Sequence, residues 1–308
     1  MTLCGVPIEI LIASLLATTL RVATPLTLGA LGGLFCERSG VVNIAIEGMM
    51  LTGAFSAYVA GSWSGSIWVG LLAAMVSAGL LAALHAVISI SFKVDQIISG
   101  TVVNILAFGI TGFFYDQYFA SNAPGFGSVP IISIPILQDI PVFGRLFQHQ
   151  PVVWIALIFV IATHFVIFFT RWGLRTRAVG EHPRAADTVG VNVYRVRYTN
   201  VIIGGAIAGL GGAYLVAEVS TFSPGMTIGR GFIALAALIF GKWTPLGAWG
   251  AALLFGFTQA LQINIQQCGV DFPAQIIGML PYVVTIIILA GVVGRSTPPA
   301  AVGVPYDK

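Results

Sequence analysis

The stretch "RWGLRTRAVGEHPRAADTVGVNVYRVR" (171–197) decides how the chain is arranged, because it concentrates charge in an otherwise apolar sequence. It contains six arginines together with Glu181 and Asp187, whereas the whole chain has 14 Lys+Arg and 11 Asp+Glu. Such a segment needs water around it, and the long apolar stretches on either side do not. It therefore divides the chain into two apolar parts joined by one polar loop.

The composition argues against a water-soluble protein. Hydrophobic residues make up 57% of the 308 residues and charged residues 8%, whereas soluble domains carry about 25% charged residues. We predict an all-α polytopic protein of the inner (cytoplasmic) membrane, built as a single domain over 1–308. The cysteines, Cys4, Cys36 and Cys268, are too scattered for a disulfide framework or a metal site. No metal, cofactor or nucleic acid is expected.

Apolar stretches of about 20 residues predict the membrane helices. One stretch is interrupted, because "GKWTPLG" (241–247) places Gly and Pro inside an apolar run and leaves 229–240 as a half-helix or a tilted span. The bundle should have roughly eight to ten transmembrane helices with broken or re-entrant segments. The predicted spans are 8–34, 40–62, 66–91, 94–119, 151–170, 199–218, a broken region over 229–264, and 274–294.

The basic loop 171–198 sets the orientation, since Lys and Arg in short loops stay on the cytoplasmic side. Counting helices from this loop places Lys93 and the pair Glu37 and Arg38 on the cytoplasmic side as well. The loop 120–150 and the N-terminus fall outside.

Positive-inside topology alone would account for the arginines, but the order of residues in the loop predicts more. Pro183 suits the first turn of a helix, and Gly190 suits the position just past a helix end. The residues between them predict a two-turn helix with one face of small side chains. That face consists of Ala185, Ala186 and Val189. A short amphipathic cytoplasmic helix of this kind is suited to a groove in another protein.

Three stretches carry a resemblance to a known family. "RAVGEHPRAADTVGVNV" (177–193) resembles the coupling-helix segment of ABC importer permeases in the branch for ribose, other simple sugars, nucleosides and branched-chain amino acids. "FCERSGVVNIAIEGMMLTGAF" (35–55) and "GRGFIALAALIFGKWTPLGAWGAALLFG" (229–256) resemble the early and late segments of nucleoside and simple-sugar members. The chain begins close to its first span, which favours the nucleoside group.

The resemblance implies an assembly of several subunits. A second permease, identical or homologous, two cytoplasmic ATPases and an external substrate-binding protein would join this chain in the lipid membrane. The sequence has no G-x-x-x-x-G-K-[ST] phosphate loop, so ATP hydrolysis is expected in the partner and this chain is not expected to be an enzyme. The residues expected to couple to the ATPase are Glu181, His182, Pro183, Arg184, Ala185, Ala186, Asp187 and Gly190.

Polar residues inside the spans are candidates for the solute path, because they are costly in lipid unless paired. Arg21 precedes Pro25, which can kink the first span, and it either pairs with Glu47 or Glu218 or contacts substrate. Asn43 and Glu47 are four residues apart and should share a helix face, either on the path or as local packing or capping groups.

Amide and imidazole side chains extend this set of candidates. Asn104 lies on an apolar helix and is more typical of an interhelical hydrogen bond than of a ligand contact, and His85 and His164 are more typical of packing. Three glutamines spaced i, i+3 and i+7 form a stripe along one side of a helix. Because amides are costly against lipid, this amide stripe should face the bundle interior or a pore, unless it lies at a water-exposed helix end. The stripe consists of Gln259, Gln262 and Gln266.

Two functions fit these features. The first is an ATP-driven ABC importer permease for a nucleoside or a related simple sugar. The second is an ion-coupled secondary transporter of a small polar solute, with the segments 35–55 and 229–264 as its broken helices. The embedded carboxylates are few, and an autonomous carrier has no use for the two-turn cytoplasmic helix. The sequence therefore favours the importer.

Overall fold

A computed structural model of the chain describes residues 2–3, 6–119, 124–126, 129–133, 135, 140, 143–267, 279, 283, 286 and 296–308. Within these residues the protein is a helical bundle with two short strand pairs. The helices are α1 Ile8–Arg38, α2 Ile46–Ser64, α3 Ile67–Ala86, α4 Gln96–Tyr118, α5 Pro151–Phe169, α6 Arg171–Glu181, α7 Pro183–Thr188, α8 Val193–Val219, α9 Arg230–Phe240 and α10 Pro245–Gln267. A π-helical turn (Val87–Ser91) extends α3, and a 3₁₀ turn covers Phe143–Phe147. The antiparallel strand pairs are β1 Thr2–Leu3 with β2 Val6–Pro7, and β3 Ile132–Ser133 with β4 Gln148–His149.

The predicted membrane spans are largely present. Among the described residues, six helices are long and apolar enough to cross a membrane, namely α1, α3 with its π turn, α4, α5, α8 and α10. Helix α2 has 19 residues and packs against α3, α4 and α8. Helix α9 is a short apolar helix of 11 residues. The predicted span 274–294 lies outside the described residues.

The loops predicted to be cytoplasmic meet at one end of the bundle. The Arg38 Nε atom donates to the Trp243 carbonyl at 2.8 Å, which joins the end of α1 to the α9–α10 turn. Lys93 forms an ion pair with Asp307, which joins the α3–α4 turn to segment 296–308. Because this end also carries the loop of α6 and α7, we call it the cytoplasmic end.

The opposite, outer end is held by contacts between the remaining loops and the helix ends. The Phe126 amide donates to the Ser220 carbonyl at 3.0 Å. The Tyr58 hydroxyl donates to the Pro124 carbonyl at 2.9 Å. The described part of loop 120–150 therefore packs on the ends of α2 and α8, opposite to α7.

The interrupted segment is a half-helix, which is one of the two predicted forms. Helix α8 ends at Val219, residues 220–229 are not helical, and α9 then runs to Phe240. Eleven residues span about 16 Å, so α9 begins roughly halfway through a hydrocarbon core of about 30 Å. Lys242 and Trp243 take left-handed backbone angles, with φ of 53° and 51°, to make the turn into α10.

Helix α8 forms the centre of the bundle through its glycines. A Cβ on Gly212 would lie 1.8 Å from the Met50 carbonyl oxygen, and one on Gly204 would lie 2.3 Å from the Gly32 carbonyl oxygen. The backbone of α8 therefore touches the backbones of α1 and α2 directly. Small residues permit this close approach, which replaces the hydrophobic driving force that is absent in lipid.

We expect Gly212→Ala to lower the melting temperature of the detergent-solubilised protein. The added methyl group overpacks the α2–α8 contact, and overpacking costs about 1–3 kcal/mol. Thermal unfolding followed by tryptophan fluorescence measures the change. The control is Gly112→Ala on α4, where an added Cβ meets nothing within 4 Å. Equal melting temperatures for the two variants would contradict this account of α8.

Candidate coupling surface and solute path

The polar loop folds into two helices, of which the sequence predicted one. Helix α7 begins at Pro183, and Gly190 follows its end with φ +84°, as predicted. Helix α6 was missed, although Thr170 carries the signal for it. The Thr170 hydroxyl accepts a hydrogen bond from the Gly173 amide at 3.1 Å and caps the start of the helix.

The predicted small-residue face of α7 is wrong for Ala186. This residue is buried and packs with Val179, Val193 and Tyr306 in a small apolar cluster. Ala185 is exposed, and Val189 is 78% exposed. The residues of α7 and its C-terminal turn that are free for a partner are therefore Arg184, Ala185, Thr188, Val189 and Gly190. The predicted coupling residues Glu181 and His182 are exposed as well.

Helix α6 joins this surface to the membrane helices. A Cβ on Gly180 would lie 2.2 Å from the Arg38 carbonyl oxygen, so α6 touches the end of α1. The Asn200 side chain of α8 donates to the Thr176 hydroxyl at 3.1 Å. The guanidinium of Arg177 lies 5.2 Å from the centre of the Phe168 ring, which adds a cation–π contact to α5. Packed contacts of α6 therefore connect α7 to α1, α5 and α8.

Glu47 holds the half-helix α9. It lies in the first turn of α2 and is only 4% exposed, and its Oε1 atom accepts a hydrogen bond from the Gly229 amide at 3.1 Å. Gly229 is the residue that precedes the first turn of α9. A carboxylate at this position satisfies an unpaired amide and complements the positive end of the helix dipole. Glu47 thus fastens the start of α9 to α2.

Asn43 does not share a helix face with Glu47, because α2 begins only at Ile46. Asn43 lies in the turn before α2 and is fully buried. Its amide nitrogen contacts the Cys36 Sγ atom at 3.2 Å. This position favours the local packing role among the two that the sequence left open.

Asn104 makes the interhelical hydrogen bonds typical of its position. Its Oδ1 atom accepts from the Gly48 amide at 2.7 Å, and its Nδ2 atom donates to the Ile44 carbonyl at 3.0 Å. His85 similarly contacts the Ser99 hydroxyl at 2.9 Å and the Val42 carbonyl at 3.2 Å. Both side chains bond backbone groups in or just before the start of α2.

Arg21 pairs with Glu218 at 2.9 Å, one of the two partners that the sequence suggested. Glu218 also lies close enough to Arg230, at the start of α9, for their charges to interact. The middle of α1, the outer end of α8 and the start of α9 thus share one charged cluster. His149 lies nearby, and burial, with a smaller effect from Arg21, lowers its pKa to about 4. Its ring is therefore neutral at physiological pH.

The amide stripe lies apart from Glu47 and Asn43. Gln259 and Gln262 are half-buried and Gln266 is exposed. They follow Pro245 by 14 to 21 residues, which places them about 20–30 Å from the cytoplasmic end of α10. Helix α10 packs mainly on α1, α9 and α5, whereas Glu47 belongs to α2. The structure does not bring these candidates together in one cavity.

Comparison with known proteins identifies the family. A family model described as "branched-chain amino acid transport system / permease component" matches residues 15–289. The chain belongs to this permease family. It is a multi-pass protein of the cell membrane and a permease component of an ABC importer, as the three sequence stretches suggested. The alternative of an autonomous ion-coupled transporter is not supported.

Several relatives match the permease over nearly its whole length, among them the following three. It is 44% identical to the guanosine ABC transporter permease NupQ of Bacillus subtilis, covering 97% of this chain and 98% of NupQ. It is 39% identical to the nucleoside ABC transporter permease NupC of Lactococcus lactis, covering 96% of each. A candidate glucose ABC transporter permease of Haloferax volcanii, TsgC13, is 38% identical, covering 92% of this chain and 93% of TsgC13.

A solved structure supports the fold of the permease. It is described as an inward-facing conformation of a metal-chelate type ABC transporter. The TM-score is 0.50 at 15% sequence identity, and the match covers 90% of this chain and 84% of that one. The likeness concerns the arrangement of helices alone.

We expect Glu47→Ala to reduce uptake of the transported solute and to lower thermal stability. The substitution leaves the Gly229 amide without its acceptor, and losing such a cap costs about 0.5–2 kcal/mol. Glu47→Gln should retain most of the uptake, since its amide oxygen still accepts the hydrogen bond. Uptake into vesicles at matched permease abundance is the measurement.

The matched control for this pair is Glu9→Ala, which removes an exposed carboxylate from the first turn of α1. Wild-type uptake and an unchanged melting temperature for Glu47→Ala would show that the contact between α2 and α9 has no such role.

Proposed function

We propose that the permease imports nucleosides as the membrane subunit of an ATP-driven transporter. The observation that carries this proposal is the nearly full-length similarity to two proteins named for guanosine and nucleosides, at 44% and 39% identity. The similarity extends through the polar loop and the interrupted segment, which are the two parts with a mechanical role. A related simple sugar is the second substrate class to test, because one relative is named for glucose.

The proposed assembly places a different partner at each side. Cytoplasmic ATPase subunits bind the exposed face of α7, and a second permease, identical or homologous, lies beside this one in the membrane. An extracytoplasmic binding protein delivers the solute to the outer end. Ala185 and Val189 offer apolar contact, and Arg184 offers a charge that suits an acidic partner.

The proposed mechanism follows from the packed contacts. Movement of α7 reaches α1 and α8 through α6. The outer end of α8 leads directly into residues 220–229 and α9, whose start is held by Glu47. Broken helices of this kind line solute sites in other transporters, because non-helical backbone at membrane depth must face protein or water. We therefore place one part of the path beside 220–229.

The proposed path also includes the amide stripe and the charged cluster. Gln259, Gln262 and Gln266 can donate and accept hydrogen bonds with hydroxyl groups and base edges, which suits an uncharged nucleoside. Arg21 is half-exposed despite its pairing with Glu218. Asn43 and Asn104 are assigned to the support of α2 rather than to the solute.

The substrate class is tested by uptake in cells that express the permease with its partner subunits. Labelled guanosine should accumulate, and unlabelled purine or pyrimidine nucleosides should compete with it, whereas ribose and glucose should not. Cells in which the ATPase carries an inactivated phosphate loop are the control for ATP-driven uptake. Competition by glucose or ribose without competition by nucleosides would overturn the nucleoside assignment.

Docking of the ATPase is tested by Ala185→Trp. A bulky side chain on the exposed face of α7 should block ATPase binding, because tightly packed interface cores tolerate added volume poorly. ATPase retained on the purified permease and the rate of uptake are the two measurements. Ser133→Trp adds the same side chain to an exposed strand at the outer end and is the control. Full retention and uptake in Ala185→Trp would exclude α7 as the docking helix.

A further inference from the structure

Segment 296–308 packs on the polar loop and contacts the buried side of α7. The Ala301 amide donates to the Gly180 carbonyl at 2.8 Å, and the Ala300 amide donates to the Glu181 Oε2 atom at 3.1 Å. Tyr306 is 6% exposed and fills the apolar cluster that contains Ala186. The buried side of α7 therefore rests on a residue that lies far away in the sequence.

The same segment also contacts the other cytoplasmic turns. Arg197 is 1% exposed, and its Nη1 atom donates to the Val304 carbonyl at 3.1 Å. A Cβ on Gly40 would lie 3.1 Å from the Ala301 carbonyl oxygen, so the α1–α2 turn touches the segment. Asp307 pairs with Lys93 in the α3–α4 turn. Segment 296–308 thus joins α7 to the turns at the cytoplasmic ends of four membrane helices.

An open groove separates the segment from α7. Its volume is about 450 Å³, and it is continuous with the exposed face of α7. The walls are apolar at Ala185, Val304 and Pro305, and polar groups at its edge come from His182, Arg184 and Asp307. Apolar walls with a charged edge suit an apolar side chain carried on a polar protein surface.

The size of α7 requires a larger docking surface. A stable protein interface uses about 20–30 residues on each side. Helix α7 has six residues, and Ala186 is turned inward. A partner that binds α7 must therefore also contact its neighbours, and segment 296–308 is the neighbour that shares a groove with it.

We propose that segment 296–308 is the second half of the ATPase-docking surface. Tyr306 positions α7, and the groove receives an apolar side chain of the ATPase subunit. This inference rests on the proposed function, in which the ATPase binds α7. It adds a further claim: α7 without the segment holds the ATPase only weakly, and the segment also transmits movement to Lys93 and Gly40.

The experiment uses the permease expressed with its ATPase and binding-protein partners. The variants are Tyr306→Ala, Tyr306→Phe and deletion of residues 304–308, with Tyr118→Ala at the outer end as the matched control, since Tyr118 is exposed. The measurements are permease abundance in the membrane, ATPase retained on purification, and substrate-stimulated ATP hydrolysis.

We expect Tyr306→Ala and the deletion to weaken ATPase retention by about tenfold, the scale of losing one well-packed aromatic anchor. Permease abundance should stay within about twofold of wild type, because the membrane core does not include this segment. Tyr306→Phe keeps the ring and should restore retention. It also separates the positioning role from the hydroxyl group.

The outcomes distinguish this inference from the proposed function. If Tyr306→Ala and the deletion retain the ATPase while Ala185→Trp loses it, the inference fails and docking on α7 stands. If Tyr306→Ala, the deletion and Ala185→Trp all leave ATPase retention unchanged, the docking function itself fails. If both Tyr306→Ala and the deletion remove the permease from the membrane, the segment serves folding rather than docking, and the inference is also overturned.

Discussion

Direct contact between helix backbones is the constraint on which the rest of the permease depends. The hydrophobic effect does not drive helices together in lipid, because lipid tails are as apolar as the helices. Close packing must therefore stabilise the bundle. The glycines of α8 bring its backbone against α1 and α2, with Gly212 on the Met50 carbonyl and Gly204 on the Gly32 carbonyl. The nearest atoms to both glycines are backbone carbonyl oxygens, which cannot move aside by a change of rotamer. Helix α8 therefore has to move together with its neighbours or separate from them.

The buried polar side chains have a second physical cause. Lipid contains no water to bond the backbone, so every backbone polar group in the membrane must find a partner inside the protein. The interrupted segment and the start of α2 leave amides and carbonyls without helical partners. Glu47 serves the Gly229 amide, and Asn104 serves both Gly48 and Ile44. The sequence made these residues candidates for the solute path because their cost in lipid was visible. The backbone groups that compensate for that cost were not visible.

Local signals predicted much of this structure. Composition indicated the membrane, Pro183 and Gly190 bounded α7, and "GKWTPLG" marked the turn after the half-helix. Errors arose where a distant residue decides the outcome. Ala186 is buried in part by Tyr306, which lies 120 positions further along the chain, and no residue near α7 predicts that contact. Asn43 was misplaced because α2 begins three residues after it. Only α6 was missed despite a local signal, since Thr170 is an ordinary helix cap.

The burial of Arg197 has a consequence for how firmly segment 296–308 is held. A guanidinium taken out of water loses much of its hydration energy, and one hydrogen bond to a neutral carbonyl returns only part of it. Among the described residues, the Val304 carbonyl is the acceptor for Arg197, and its Nε and Nη2 atoms have none. Release of the segment would rehydrate this charge and offset part of the packing lost around Tyr306. Attached and released states of the segment are therefore closer in free energy than the number of contacts suggests. A partner on the cytoplasmic face that binds one of these states better than the other therefore needs a smaller difference in affinity to shift the balance between them.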